Sequence, residues 1–392
     1  MFRRNLEPTL RRLAGYFPVV AVIGPRQSGK TTLARAVFAD KPYVSLEDPA
    51  ERAFAATDAR GFLARFPGGA VFDEAQRWPD LFSWLQGIVD ADRTPGRFVL
   101  TGSQQFGLLA GERLGNAGQS LAGRVAMTQL LPLALDELPA LPASADPMIG
   151  AGGYPILHAQ GIPAEEWFPS YVATYVARDV RQLLGVQDLS TFQRFLRLCA
   201  ARTGQMLNLS AVAGEAGIAH STARAWLSIL EASYIVMLLP PYHRNFGKRL
   251  VKTPKLYFVD SGLACWLLGI RSAGQLALHP LRGALFETLV VGEFFKARFH
   301  AGQPADLYFW RDNGGNEADI VFEHKGRLQT VEIKSGATVT QDYIRAGIKS
   351  ARFAAGEALA PWLIYGGNDS YTRSGVEVIS WRDVPRMLRE AG

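Results

Sequence analysis

An unbroken apolar run, Val19-Val20-Ala21-Val22-Ile23, reads as a buried strand, and residues 33–38 behind it read as the start of a helix. The pattern continues with a short strand at 43–46, a helical stretch from 50 to 65 and a strand at 69–72. An amphipathic helix at 78–90 and core strands at 97–100 and 125–130 follow. Such alternation of strands and helices is that of an α/β domain. Residues 136–149 are rich in Pro and Ala and read as the passage out of it.

The middle of the chain changes character. Helices are expected at 167–184, where Arg178, Asp179 and Arg181 fall on or near one face, and at 191–201. Residues 209–230 then read as two short helices around Gly217, with Ser210 placed to cap the first and His220 or Ser221 opening the second. Ala225, Ile229 and Leu230 are the expected core positions of the second helix. Strands at 234–239 and 255–259 flank a basic connection containing Arg244, Asn245, Phe246, Gly247, Lys248, Arg249 and Lys252. Together these predict a helix-turn-helix with a wing, whose exposed second-helix side chains are His220, Ser221, Thr222 and Arg224. That set suits backbone contact better than base reading, and a fold of this kind also serves subunit packing alone. The tail starts again with a helix at 283–299. Strands at 306–311, 317–322 and 328–334 follow, then a helix at 341–353, strands at 361–365 and 376–380, and a last helix. Asp312-Asn313-Gly314-Gly315 is a hairpin signal.

Chemistry enters between the first strand and the first helix. Gly24-Pro25-Arg26-Gln27-Ser28-Gly29-Lys30-Thr31, followed by Thr32, has the spacing G-x-x-x-x-G-K-S/T of a phosphate-binding loop in its required strand–loop–helix setting. Glycines let backbone N–H groups turn towards an anion at a helix N-terminus. Lys30 is then placed for the β- and γ-phosphates of ATP and Thr31 for Mg²⁺. Asp73-Glu74, at the end of the apolar 69–72 run, supplies the second nucleotide motif: Asp73 for the Mg²⁺ shell, Glu74 to orient or deprotonate the attacking water.

Composition narrows the class. At 392 residues, 48% hydrophobic, the chain has room for two or three domains. Its mean hydropathy is +0.02, and no apolar run reaches the roughly 18 residues that span a bilayer, so no membrane association is expected. The apolar run at 17–23 leads into the phosphate loop without a cleavage site, so it reads as core rather than signal peptide. Cys199 and Cys265 form neither a disulfide framework nor a metal quartet, and a cytoplasmic location is expected. The net charge of +6 leans mildly towards anionic partners.

The segments GPRQSGKTTL, AVFDEAQ, VLTGSQQF and SLAGR, continuing through Gly152-Gly153-Tyr154-Pro155 and residues 171–180, resemble the bacterial and archaeal AAA+ ATPases of the AAA_14 family with a C-terminal DUF4143 region. The resemblance covers most of the chain and implies an ATPase with an appended winged helix and a nuclease-like domain. In ATPases of this type a polar residue at the tip of the strand after 97–100 senses the γ-phosphate, a role open here to Ser103 or Thr101. Arg124 could be a cationic finger acting across a subunit interface, or a surface salt bridge.

In the tail, the element order and the acidic set resemble the PD-(D/E)xK nucleases. Glu332 and Lys334, two apart on a strand, share a face. Asp319 on the neighbouring strand can meet Glu332 to chelate Mg²⁺, Lys334 would orient the attacking water or stabilise charge on the scissile phosphate, and Glu287 matches an extra acidic residue that many members carry. The expected plan is thus an AAA+ domain at 1–150, a helical and winged-helix domain at 151–280, and a nuclease-like domain at 281–392. The expected function is an ATP-dependent DNA motor or remodeller, acting on branched DNA or ends, with Mg²⁺-dependent cleavage open to the last domain. Its expected partners are DNA and further copies of the chain in a homo-oligomer such as a hexameric ring. The rival expectation is a nucleotide-switched regulator that binds a protein partner. A standalone nuclease is poorly compatible with Asp73-Glu74.

Overall fold

Val19, Val20, Ala21, Val22 and Ile23 are all buried, because the strand they form is flanked on both sides. In the computed structural model, which describes residues 1–103, 121–176, 188–242, 253–312, 314–352 and 358–391, this is β1 (Val19–Ile23). Around it lie β2 (Tyr43–Ser45), β3 (Val71–Asp73), β4 (Phe98–Gly102) and β5 (Val125–Gln129) in the order β2-β3-β4-β1-β5. All pairs are parallel, so the strands end on one edge, where ligands of open α/β sheets gather. Helices α1 (Glu7–Ala14), α2 (Lys30–Val37), α3 (Pro49–Thr57), α4 (Ala59–Ala64) and α5 (Leu81–Ala91) accompany them. Leu6 and Leu10 pack with Val20, Val22, Leu33 and Val99 in one core. Phe62 sits among Phe54, Phe66, Phe72 and Trp78 in a second, aromatic one.

The single helix expected over 50–65 is divided at Asp58, whose carboxylate accepts from the Gly61 amide and starts α4. The expected helix at 78–90 begins later, after a turn at Ala75–Arg77, with Trp78 buried before it.

By contacts the chain divides into two units, residues 1–132 with 232–234 and 298–304, and residues 133–231, 235–297 and 305–391. Within the second unit, the passage at 136–149 is structured: Leu135, Met148 and Ile149 are buried and Ala145–Ala151 is helical. The helix pair Leu209–Ala216 and His220–Ala232 turns at Gly217 (φ 76°), a left-handed cap suited to glycine. Asn208, not Ser210, caps the first of these helices by accepting from the Ala211 amide. In the second, Ala223, Trp226, Leu227 and Leu230 are buried whereas Ala225 is exposed, so its core face is turned from the expected one. Strands β6 (Gln205–Met206), β7 (Val236–Leu239) and β8 (Lys255–Phe258) form an antiparallel sheet in the order β6-β8-β7.

The helix Arg282–His300 leads into a six-stranded sheet of β9 (Tyr308–Arg311), β10 (Glu317–His324), β11 (Arg327–Lys334), β12 (Trp362–Tyr365), β13 (Tyr371–Arg373) and β14 (Val376–Ser380). β9, β10 and β11 are antiparallel neighbours; β11, β12 and β14 run parallel; β13 is an edge strand, exposed throughout, that no apolar pattern announces. Arg178, Asp179, Arg181, Arg244, Asn245, Phe246, Gly247, Lys248, Arg249, Lys252, Gln104, Ser120, Asn313 and Phe353 lie outside the described residues.

Candidate functional sites: a phosphate loop and a buried acid–lysine cluster

The loop 24–29 follows β1 at the carboxyl edge of the parallel sheet. Gly24 has φ 152°, and a Cβ there would stand 2.2 Å from the Leu130 carbonyl oxygen, so any side chain would push the loop off β5. Gly29 (φ 92°) caps α2 from the left-handed region. Ser28 is fully buried and its Oγ has no hydrogen-bond partner among the described residues, a donor free for a phosphate oxygen. Pro25 is buried, Gln27 and Thr32 are exposed, and Arg26 pairs with Glu47 at 3.2 Å. Lys30, 4% exposed, donates from Nζ to the carbonyls of Gly24 (3.0 Å) and Pro25 (2.8 Å). Burial lowers its pKa to about 8, against the pull of Glu74 and Asp73, with Arg26 adding repulsion.

Asp73 collects three hydroxyls. Thr31 Oγ1 donates to both carboxylate oxygens (2.9 and 3.1 Å), Tyr43 to Oδ2 (2.8 Å), and Thr101 closely to Oδ1. Burial first, and this bond second, push the Tyr43 hydroxyl up to about 12, so it stays a donor. An alcohol and a carboxylate this close, beside a phosphate loop, form a hard-oxygen pair that fits Mg²⁺. Glu74 stands one residue on in the left-handed region, at φ 55°. Its amide donates to Thr101 Oγ1 (3.2 Å), and its Oε2 accepts from Ser103 Oγ (3.3 Å) and closely from Gln76 Nε2. The two polar candidates on the β4 tip therefore separate: Thr101 touches the Asp73 carboxylate, Ser103 that of Glu74.

Arg124 is elsewhere. It precedes β5 and therefore lies at the amino edge of the sheet, in a two-point ion pair with Asp90 (2.5 and 3.0 Å). The five-residue strand between it and the carboxyl edge is about 16 Å long.

In the second unit, the predicted set is drawn into one cavity of about 580 Å³ with further charged neighbours. Asp319 Oδ2 accepts from the Ile333 amide (2.8 Å), tying β10 to β11. Lys334 Nζ donates to Glu332 at 2.6 Å. Lys255, 3% exposed, comes from β8 and places its ammonium between Glu317 (2.5 Å), Glu287 (3.1 Å) and Asp319 (3.5 Å). Tyr257, two residues on and on the same face, donates to Glu287 at 2.5 Å. Burial raises the carboxyls of Glu287 and Glu332, with Asp319 adding repulsion. Burial disfavours the Lys255 ammonium, but Glu287, Asp319 and Glu317 outweigh it and hold the proton on. Among the described residues no three acidic, imidazole or thiol side chains are arranged to hold a metal ion. Glu287, Asp319 and Glu332 line one cavity, and the cation seated against the first two of them is the Lys255 ammonium.

Residues 16–139 match the model of an AAA domain (AAA_14), 145–274 that of a domain of unknown function (DUF8612), and 282–384 that of another (DUF4143). The uncharacterized protein Rv2008c of Mycobacterium tuberculosis is 35% identical over 341 residues, which span 86% of this chain and 74% of that protein. The uncharacterized protein Mb2031c of Mycobacterium bovis matches to the same extent. The chain belongs to this family of AAA-domain proteins. Its first unit is an AAA-type, ATP-binding ATPase domain. Weak likenesses of fold extend to the Walker-type ATPase PABY2304 of Pyrococcus abyssi (14% identity, 68% of this chain and 96% of that one, TM-score 0.44) and to AMPPCP-bound DnaA of Aquifex aeolicus (12%, 58% and 85%, TM-score 0.30). Among the described residues no helix is long and apolar enough to cross a membrane.

Several residues that shape the two sites carry no motif. Arg4, ahead of the AAA match and 4% exposed, donates to Ser28 O (2.6 Å) and Leu131 O (2.7 Å), clamping the phosphate loop to the segment after β5. Tyr43 reaches Asp73 from β2, and Gln76 reaches Glu74 from the turn at Ala75–Arg77. Lys255 had one legible signal, a lysine heading an otherwise apolar four-residue strand, and Glu317 shares with Asp319 the i, i+2 spacing of one strand face.

Proposed function

We propose that the AAA domain drives remodelling of DNA, with hydrolysis of Mg²⁺-ATP coupled to DNA held by the second unit. The observation that carries the DNA reading is the chain order of β6, the helix pair Leu209–Ala216 and His220–Ala232, then β7 and β8 of the same sheet, the connectivity of a winged helix, with His220, Ser221 and Arg224 exposed on the second helix. The helix–β9–β10–β11–helix–β12 order, antiparallel and then parallel, supports a PD-(D/E)xK nuclease-like module over 281–392. The three-part plan with divisions near 150 and 280 rests on the same reading. In the ATPase step, Thr31 and Asp73 hold the magnesium ion, Lys30 takes the phosphates, and Glu74, steadied by Ser103, orients water. Arg124 lies too far from its own phosphate loop to act there, so a role as a finger belongs to a homo-oligomer, a hexameric ring included, in which it leaves Asp90 for a neighbour's nucleotide.

The rival, a nucleotide-switched regulator with a protein partner, draws on the second helix offering a single exposed guanidinium, Arg224, to a phosphate backbone. ATP hydrolysis by the wild type and Glu74→Gln, measured without DNA, with duplex and with four-way junctions, separates the two. DNA-stimulated turnover that the substitution abolishes is expected; no response to any nucleic acid would sink the remodeller and favour the regulator.

A further inference from the structure

We infer that Lys255 is the built-in cation of the acid cluster, taking the place of a divalent ion, so that the nuclease-like module holds its charges together without metal and does not cleave while Lys255 is in position. The inference rests on the nuclease-like reading of residues 281–392. Three carboxylates, from Glu287, Glu317 and Asp319, lie within 3.5 Å of one buried ammonium, and Lys334 neutralises the fourth, on Glu332. A metal would need several of these oxygens on itself at about 2.0–2.6 Å, in the volume that Nζ fills. Lys255 is also no loose plug. Its strand is paired on both sides, Lys255 opposite Met206 of β6 and opposite Leu239 of β7. A hydroxyl contact, from Tyr257 to Glu287, comes from the same strand face. The cation is therefore contributed by the sequence that matches DUF8612, and the carboxylates by the sequence that matches DUF4143.

The test is Mn²⁺ binding to the full chain without nucleotide, in an Asp73→Asn background that removes the metal ligand beside the phosphate loop. The parent should bind no Mn²⁺ that depends on Asp319. Lys255→Met should gain a site that is about tenfold tighter or more than anything in the parent and that Asp319→Asn abolishes, whereas Lys255→Arg should gain none. If Lys255→Met folds poorly, Mn²⁺ should raise its Tm and leave that of Lys255→Arg unmoved. Mn²⁺ binding by the parent at an Asp319-dependent site overturns the inference and leaves the nuclease-like reading standing. Absence of both a gained site and a Tm rise in Lys255→Met overturns the inference and removes the metal-site reading of the acidic set with it.

Discussion

Glu74 adopts φ 55°, a conformation uncommon for a residue with a side chain, and that turn brings its carboxylate to Ser103 and Gln76. Loss of the Ser103 hydroxyl removes one of the two side-chain contacts steadying this group. Ser103→Ala is therefore expected to lower kcat while leaving the KM for ATP nearly unchanged, as steady-state kinetics would show. Lys30 makes a pH prediction. In the free protein burial lowers its pKa to about 8, so above that pH the amine is mostly neutral. A triphosphate favours the ammonium, so binding above pH 8 must take up a proton, and affinity should fall by up to about tenfold per pH unit. Calorimetry at pH 8.5 in two buffers of different ionisation enthalpy should detect the uptake, and identical heats would refute it. Arg4→Ala leaves two buried carbonyls unpaired, at a cost of about 1–3 kcal/mol, and should both lower Tm and weaken ATP binding. Lys30, Thr31, Asp73 and Glu74 are legible in sequence because phosphate chemistry fixes their spacing. Arg4, Tyr43 and Gln76 are not, since their roles arise only when β1, β2 and β3 align.

At the scale of elements, strands with continuous apolar runs and helices with strong periodicity stand where the pattern puts them, within a few residues. The misses have local causes. Asp58 divides a helix because its side chain competes for a backbone amide. The exposed β13 has no apolar stripe to betray it, and Ala225 misleads because alanine suits either face of a helix. Phe62 anchors α4 against four other aromatic rings and is fully buried. Phe62→Ala should cost about 3–5 kcal/mol, read as a fall in the denaturant midpoint. The cap at Asn208 is a smaller matter: Asn208→Ala should cost about 1 kcal/mol, whereas Ser210→Ala, outside the cap, should be close to neutral in the same experiment.

At the scale of the whole molecule, the net charge of +6 is modest, and DNA held as proposed above would be held largely through its phosphates. Affinity for duplex DNA is therefore expected to fall steeply between 50 and 200 mM salt, by roughly a factor of a thousand if six or so phosphates are contacted. Titrations by fluorescence anisotropy would show this, and a salt-independent affinity would speak against phosphate contact. The acid cluster carries a different consequence, for how the chain can be cut and how it can drift. Removing Lys255 from Glu287, Glu317 and Asp319 strands buried charges, a loss of about 3–5 kcal/mol when one partner of such a pair is taken away. A fragment starting near residue 281 should therefore fold worse than its neat family boundary promises. Across lineages position 255 should change only in step with 287, 317 and 319, so that two segments recognised as separate modules are inherited as one.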